Sequence, residues 1–312
     1  MGDGARERCD DASIAATSWR VGDVRITAII ERVLSLPAGG AESLVPGATA
    51  PELASMEWLR RDYLTGDGLL RFAIQSFLIE EPHRALLIDT CVGNHKPRRN
   101  PLFADLDTPF LDRLASSGRT RESIDIVVCT HLHVDHVGWN TILDDGEWRP
   151  TFPGAVVLVS ADELAHFHTC PPGDPLWHDS IEPLARAGLL RTLSPDGRVT
   201  ERVRVVPTPG HTPGHVSVVV ESGGQTAWIT GDVLHHPCQL ARPDWASDCD
   251  LDPARATASR ASVLSSVASS GALLLGTHFA PPAGGRLIEH GLGYRLEPEL
   301  GPSRVAGASE EP

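Results

Sequence analysis

Apolar runs separated by short polar or Pro/Gly-rich stretches dominate the hydropathy pattern of the chain. The run IDIVVCT (124–130) is almost continuously apolar, as expected of a strand that is buried on both faces. The runs 72–80 and 84–90 are separated by only three residues, which predicts a β-hairpin. The same pattern predicts six further strands, at 24–33, 155–160, 202–206, 216–221, 226–230 and 272–279.

Two segments carry helical signals. The segment 109–118 has apolar residues at helical spacing and ends at Gly118, which is a favourable C-cap. The segment 252–270 begins with Asp252 as N-cap and Pro253 as the first helical residue. Strands outnumber helices and the helices lie between them, so the pattern predicts an α/β or α+β fold with layers of sheet inside.

Composition and charge limit the domain number and the partners. The chain has 312 residues, of which 41% are hydrophobic and 22% are charged, as in an ordinary globular protein. We expect a loose head at 1–20, a single domain at 21–300 and a flexible tail at 301–312. The net charge of −14, without a compensating run of Lys or Arg, argues against a nucleic acid or an anionic membrane as partner.

The cysteines and the start of the chain indicate an intracellular compartment. The six cysteines are scattered without a CxxC pair, so neither a disulfide framework nor a Cys-rich zinc site is expected. The first residues are polar and lack the apolar core of a signal peptide, and no apolar run reaches the length of a membrane span. We therefore expect a cytoplasmic protein.

The stretch THLHVDHVGW (130–139) concentrates three histidines and an aspartate directly after the predicted buried strand. His131 and His133 lie two positions apart and point the same way in an extended segment, whereas Asp135 and His136 can face a second point nearby. Neutral imidazoles and a carboxylate suit Zn, Mn, Fe, Co or Ni. The stretch therefore predicts a metal site.

Three more candidate ligands follow predicted strands. His211 lies in TPGHTPGH, whose prolines and glycines form a stiff turn that orders the imidazole before binding. Asp232 ends an apolar strand, where an acid is costly unless it is paired or metal-bound, and His278 ends the last predicted strand. The clusters supply five imidazoles and two carboxylates, which fits two metal ions with one bridging carboxylate.

The motifs HLHVDH, TPGHTPGH, GD and THF, in this order, resemble those of the metallo-β-lactamase superfamily, over roughly residues 20 to 290. The resemblance implies a four-layer αβ/βα sandwich. It also implies a ligand set for two ions: His131, His133 and His211 for one, Asp135, His136 and His278 for the other, and Asp232 as the bridge. Asp89 would orient a ligating His, and His215 would have a structural or orienting role.

The resemblance predicts hydrolysis by attack of a metal-bridging hydroxide, because coordination lowers the pKa of water. Zinc is the expected ion, with Mn, Fe, Co or Ni as alternatives. Asp135, Asp232 and His235 are the predicted catalytic residues. Asp232 would pass a proton to the leaving group. His235 would supply the donor that a Tyr provides in acyl-homoserine lactonases, although a surface or packing role for it stays open.

A lactone or carboxylic ester is the expected substrate. Zinc β-lactamases usually carry Cys where this chain has Asp232, RNA-processing members fit poorly with the acidic charge, and glyoxalase II-like thioesterases have a basic C-terminal region that is missing here. GDVLHHP resembles the methyl parathion hydrolase branch and its lactonase or esterase relatives. Phosphotriester hydrolysis, thioester hydrolysis and iron-dependent sulfur dioxygenation remain alternatives. A homodimer is a further hypothesis, since related hydrolases are often dimers.

Loops with aromatic residues are expected to form the pocket wall and to favour a hydrophobic or aromatic substrate. These residues lie in 36–70, beside the histidine cluster and in 165–183, and they are Trp58, Tyr63, Leu64, Trp139, Phe167, His168 and Trp177.

Overall fold

Two β-sheets form the centre of the computed structural model, which describes residues 17–41, 43–169 and 175–299. In chain order the strands are β1 (Ser18–Val21), β2 (Val24–Leu36), β3 (Leu70–Glu81), β4 (Arg84–Ile88), β5 (Ile126–Val128), β6 (Thr141–Asp144), β7 (Glu147–Pro150), β8 (Val156–Val159), β9 (Leu190–Thr192), β10 (Val203–Pro207), β11 (Val216–Ser222), β12 (Gln225–Ile229), β13 (Leu273–Leu275), β14 (Gly284–His290) and β15 (Gly293–Pro298).

The two sheets have mixed topology. The first has the order β1-β2-β3-β4-β5-β8-β9 and the second has the order β10-β11-β12-β13-β14-β15, while β6 and β7 form a separate hairpin. In the first sheet, β5 runs parallel to β4 and β8, and β8 runs parallel to β9. In the second, β12 and β13 are parallel. The hairpin predicted from 72–80 and 84–90 is confirmed as the antiparallel pair β3–β4.

Six α-helices connect or cover the strands in the described residues: α1 (Ala50–Ala54), α2 (Phe110–Ser116), α3 (Ala161–Phe167), α4 (Glu182–Arg186), α5 (Cys238–Ala241) and α6 (Pro253–Ser270). Both predicted helices are present as α2 and α6. The Asp252 side chain accepts the Arg255 N–H at the start of α6, as its N-cap position predicts. None of the helices in the described ranges is long and apolar enough to cross a lipid bilayer.

The layers follow from the alternation of side chains along the strands. In β4, Leu86 and Ile88 join the core between the two sheets, whereas Ala85 and Leu87 join a second core on the other face. This second core also contains Phe110 of α2 and Leu184 of α4, so helices cover the first sheet. The buried face of α6 packs with the core of the second sheet. The predicted α/β sandwich is therefore confirmed.

The predicted last strand at 272–279 is present only in part, as β13 (Leu273–Leu275), and it is not the last strand. Strand β13 ends at Leu275, and β14 and β15 follow it. The Phe279 N–H donates to the Gly276 carbonyl, which closes a turn, and a Cβ at Gly276 would lie 2.3 Å from the Phe279 ring. The apolar run in the sequence extends past the end of β13 because Phe279, although apolar, belongs to the turn and packs on Gly276. His278 therefore lies in a turn and not at a strand end.

The predicted domain limits fall largely outside the described residues. Residues 1–16 and the predicted tail at 301–312 are not described. Strand β1 begins at Ser18, inside the range predicted as a loose head. The limits of the domain stay a prediction.

Candidate metal centre

The structure brings the seven predicted ligands together at one edge of the sandwich. Each lies in a loop or turn that follows the end of a strand: after β5 for the first cluster, and after β10, β12 and β13 for the other ligands. The residues are His131, His133, Asp135, His136, His211, Asp232 and His278. They divide into two groups that differ in their contacts.

The first group consists of three histidines and one carboxylate. Each of these residues offers one ligand atom, and the atoms lie within 4.8 Å of one another: His131, His133, His211 and Asp232. His133 Nδ1 is 3.0 Å from His131 Nε2 and 2.9 Å from His211 Nε2. The group joins the loop after β5 to the loop after β10.

The second group consists of Asp135, His136 and His278, whose ligand atoms also lie within 4.8 Å of one another. Nε2 of His136 and Nε2 of His278 are 3.2 Å apart. Asp232 lies between the groups, because its Oδ1 is 3.0 Å from His278 Nε2 and its Oδ2 is 3.2 Å from His211 Nε2. The two carboxylate oxygens of Asp232 thus face different groups.

The first group fits a cation better than it fits hydrogen bonds. A neutral imidazole carries one N–H. In the neutral form that a metal ligand needs, His211 directs this N–H from Nδ1 to Asp250 Oδ1 at 3.2 Å, which leaves a lone pair on its Nε2. A single proton on His133 Nδ1 cannot serve both neighbouring ring nitrogens. A divalent ion among these nitrogens would remove the lone-pair repulsion, and the imidazole and carboxylate donors are those that zinc and related metals take.

Burial and charge set the protonation of the ligands. Burial holds the pKa of His131 well below its usual value and lowers the pKa of His133 to about 3, so both rings are neutral, as metal binding requires. Burial acts in the same direction on His136 and His278, but the nearby carboxylates, Asp232 above all, outweigh it and raise the pKa of both. Metal binding at the second group would therefore release protons.

The Asp232 carboxyl is ionised despite its burial. Burial alone would raise its pKa, but the imidazoles around it, His136 above all and then His278, have the larger combined effect and hold the pKa well below the usual value. An ionised carboxylate that is 4% exposed needs such cationic partners to be stable.

Asp89 and His215 hold the ligands from outside the two groups. Asp89 Oδ2 accepts the Nδ1–H of His136 at 2.9 Å, which confirms the predicted contact with a candidate ligand. His215 accepts the backbone N–H of Asp232 at its Nε2, at 2.8 Å, and its Nδ1 lies 2.8 Å from Thr208 Oγ1. Burial lowers the pKa of His215 to about 3, so the ring is a neutral acceptor that orients Asp232.

A buried ion pair lies behind His211, and the sequence analysis did not predict it. Asp250 accepts from His211, and Arg260 of α6 lies 3.4 Å from the other oxygen of Asp250. Arg260 also donates to the carbonyls of Val233 and Trp245 at 2.8 and 2.9 Å. The sequence held a signal, because Arg260 lies at helical spacing from the apolar residues of the buried face of α6.

A cavity of about 510 Å³ opens onto the ligand groups. Its walls are mainly aliphatic and aromatic side chains: Leu34, Leu36, Leu44, Phe72, Leu102, Phe103 and Val134. Phe72 stacks on the His278 ring with 4.1 Å between the ring centroids. Ser43, Asn100, Asp248 and Cys249 add polar groups, and among the described residues no Lys or Arg lines the cavity.

The prediction of an aromatic wall is wrong for all seven predicted wall residues, none of which lines this cavity. Tyr63 is buried with its hydroxyl donating to the Pro282 carbonyl at 2.7 Å. Trp139 donates its indole N–H to the buried Glu31 at 2.6 Å and stacks on Phe110. Buried Tyr and Trp side chains go where their polar atom finds a partner. The predicted segment 36–70 does contribute to the wall, but through smaller residues such as Leu44.

Three of those residues pack together elsewhere. The Trp177 ring lies against Phe167 and His168, with centroids 5.9 and 5.0 Å apart. Trp58 packs edge-on against Tyr63 at 6.4 Å. Their sequence neighbourhood therefore did not predict their place in the fold.

His235 faces the cavity beside Asp232. Its Nε2 lies 3.3 Å from Asp232 Oδ2, and neither ring nitrogen makes a hydrogen bond among the described residues. The side chain is 2% exposed, so the surface role left open from the sequence is wrong. Burial lowers the pKa of the ring. A buried imidazole that borders a cavity and whose nitrogens lack partners needs an explanation, and a contact with a bound substrate is one.

Comparisons with known proteins identify the family of this chain. A family model described as Metallo-beta-lactamase superfamily matches residues 69–278. An N-acyl homoserine lactonase from Bacillus sp is 23% identical over 171 residues, which are 51% of this chain and 62% of that protein. The matched part thus spans less than two thirds of the length of that relative.

Two solved structures share the fold over nearly the whole chain. Hydrolase AbOPH in the beta lactamase superfamily superposes with a TM-score of 0.76 at 24% identity, covering 94% of this chain and 100% of its own. AidC, a dizinc quorum-quenching lactonase solved with a product, superposes with a TM-score of 0.73 at 21% identity. The match covers 91% of this chain and 97% of AidC. At these identities the similarity concerns the fold.

Proposed function

Since the chain belongs to the metallo-β-lactamase superfamily, we propose that it is a hydrolase that holds two divalent metal ions and cleaves a lactone or a carboxylic ester. The observation that supports this most strongly is the arrangement of Asp232, whose two oxygens face two separate groups of ligands. A bridging carboxylate of this kind is suited to a pair of ions that act on one substrate bond.

The first ion would be held by His131, His133, His211 and Asp232, and the second by Asp135, His136, His278 and Asp232. When bound, two such ions polarise the substrate carbonyl and lower the pKa of water. Zinc is the ion we propose, because the donor set is nitrogen and oxygen and because AidC is described as a dizinc enzyme.

The residues of the chain then orient the substrate and move its proton. Asp232 lines the cavity and its Oδ2 lies 3.3 Å from His235 Nε2, so this carboxylate would accept a proton and deliver it to the leaving oxygen. His235 can donate a ring N–H to the substrate carbonyl or to the leaving oxygen. Asp135 lines the cavity and would share in holding the second ion close to the scissile bond.

The cavity supports an uncharged, partly apolar substrate. Its volume of about 510 Å³ suits a small organic molecule. Its aliphatic walls favour binding of the hydrocarbon part of a substrate. The described lining contains no Lys or Arg, so a substrate carboxylate would find no cation outside the metal centre. This favours neutral lactones and esters, and the Bacillus relative is named as a lactonase.

A substrate panel tests this proposal. We expect the metal-loaded protein to show its highest kcat/KM on a lactone or an aryl carboxylic ester. The panel also includes aryl phosphotriesters, acyl thioesters, and a persulfide that is tested in an oxygen-consumption assay. Among the esters, the kcat/KM of a neutral ester should exceed that of its carboxylate-bearing analogue by about tenfold or more, which corresponds to roughly 1.4 kcal/mol of transition-state stabilisation. First rank for phosphotriesters, or oxygen consumption on the persulfide, would contradict the proposed reaction.

A substitution at His235 tests its role in the reaction. We expect His235→Phe to lower kcat by about a hundredfold while KM changes little, because a flat ring remains in place but without the atoms that donate to the reacting oxygens. His236→Gln is the matched control, because His236 contacts the Tyr63 carbonyl and does not line the cavity. Steady-state kinetics on the best ester measures both, and an unchanged kcat in His235→Phe would return His235 to a packing role.

A further inference from the structure

A buried carboxylate in α3 contacts two ligand-bearing loops. Glu163 is 2% exposed. Its Oε1 accepts the backbone N–H of Leu132 at 3.0 Å, and its Oε2 accepts the backbone N–H of Gly214 at 3.1 Å. Leu132 lies between His131 and His133. Gly214 belongs to the turn that carries His211.

The position of Glu163 in its helix suggests a different contact. Ser160 is the N-cap of α3 and accepts the Glu163 N–H at 3.3 Å, so the sequence SADE has the form of a capping box. In a capping box the Glu side chain turns back to the N-cap backbone. Here each of its oxygens instead accepts from a loop outside the helix, which gives two charge-assisted hydrogen bonds at a buried position.

The loop after β10 packs directly on the start of α3. A Cβ added at Gly214 would lie 2.1 Å from the Glu163 backbone nitrogen, so only glycine allows this approach. The carboxylate therefore sits in a fixed place relative to both loops. These loops carry all three imidazoles of the first ligand group.

The second ligand group is held by other contacts. His136 donates to Asp89, and His278 donates its Nδ1–H to the Ala73 carbonyl at 2.9 Å. Ala73 lies in β3 of the first sheet, and Asp89 directly follows β4. In the described part of the chain, neither residue makes a hydrogen bond to Glu163. The second group thus has side-chain supports of its own, while its Asp135 and His136 share the loop after β5 with His131 and His133.

We propose that Glu163 is a positioning residue that sets the metal affinity of the first ligand group without setting that of the second. This inference rests on the metal centre proposed above. Glu163 holds His131 and His133 on one loop and His211 on the other at the spacing that one ion requires. Without it, part of the binding free energy goes into ordering the two loops, and partners behind ligands typically contribute 10- to 100-fold in affinity.

Glu163→Gln tests the proposal, because Gln keeps the size of the side chain but turns one acceptor oxygen into an N–H₂ donor that faces a backbone N–H. The full-length apoprotein is titrated with Co²⁺ and with Zn²⁺ against a competing chelator. We compare Glu163→Gln in two backgrounds, His278→Ala, which keeps the first group, and His211→Ala, which keeps the second. The expected result is a loss of about 10- to 100-fold in metal affinity with an altered Co²⁺ visible spectrum in the first background, and a change below about threefold in the second.

Ser160→Ala is the matched control, because it removes the N-cap of the same helix and leaves the carboxylate in place. It should lower the unfolding temperature and leave both metal affinities near those of the wild type. Equal losses in Ser160→Ala and Glu163→Gln would assign the effect to the helix start and overturn the inference. A loss at both groups, or at neither, would also overturn it.

The outcomes separate this inference from the proposed function. A wild-type protein that takes up no metal contradicts the metal centre and the inference with it. A wild type that binds two ions, together with an unchanged Glu163→Gln protein, overturns only the role of Glu163. If Glu163→Gln does not fold, Glu163→Asp serves the same test: its shorter carboxylate should lower first-group affinity, and an unchanged affinity would overturn the proposal.

Discussion

Asp232→Asn is expected to lower kcat/KM on the best ester substrate by at least about a thousandfold, roughly 4 kcal/mol of transition-state stabilisation. The amide keeps the shape of the side chain but loses the negative charge and one acceptor oxygen. Five ring nitrogens lie within 3.7 Å of this carboxylate, from His131, His136, His211, His235 and His278. The variant therefore loses the bridge between the groups and the proposed proton carrier together.

The measurement is kcat/KM with the metal content determined on the same protein. Asp144→Asn is the control, because Asp144 is exposed in the β6–β7 hairpin and pairs with Arg149, away from the centre. It should remain within about twofold of the wild type, as surface substitutions usually do. Activity of Asp232→Asn within tenfold of the wild type would contradict the bridging role.

Removal of metal is expected to reduce hydrolysis by at least about a thousandfold, and re-addition of Zn²⁺ should restore it. The wild type should hold about two equivalents, whereas His211→Ala and His278→Ala should each retain about one, because each variant loses a ligand of a different group. Free metal at about a thousand times its Kd should also stabilise the fold by about 4 kcal/mol.

Elemental analysis, activity and thermal unfolding of the same samples test these expectations together. Less than one equivalent of metal in the purified protein, with activity that a chelator leaves unchanged, would contradict the metal centre. Retention of both ions in His278→Ala would contradict the division into two groups. The apoprotein should stay folded, because two extended apolar cores lie between the layers and do not include the ligand carboxylates.

Much of the fold could be read from local patterns. The strands, the β3–β4 hairpin and the capped helix α6 depend on periodicity and on cap residues that act within a few positions. Strands β14 and β15 were missed because their segments, GGRLIEH and GYRLEP, lack a continuous apolar run and many of their side chains are exposed. The turn at Gly276 was missed because its cause is the contact with Phe279.

The pocket wall could not be predicted in this way. Trp139 is next to the histidine cluster in the sequence, but its indole N–H donates to Glu31. Glu31 lies at a bulge of β2, far away in the chain. Phe72, which stacks on His278, comes from β3 and carried no signal of its own. Which aromatic side chain borders a cavity depends on long-range packing, and burial alone does not reveal it.

The kinds of ligand and their local order follow from the sequence alone, because imidazole and carboxylate side chains clustered after apolar strands are costly unless they bind a partner. It could therefore predict His131, His133, Asp135 and His136 as candidates for two sites. Three further features depend on packing: the two oxygens of Asp232 face different groups, Arg260 and Asp250 support His211, and Glu163 joins two loops. These contacts connect segments that are distant in the chain, and their geometry exists only after the two sheets have packed.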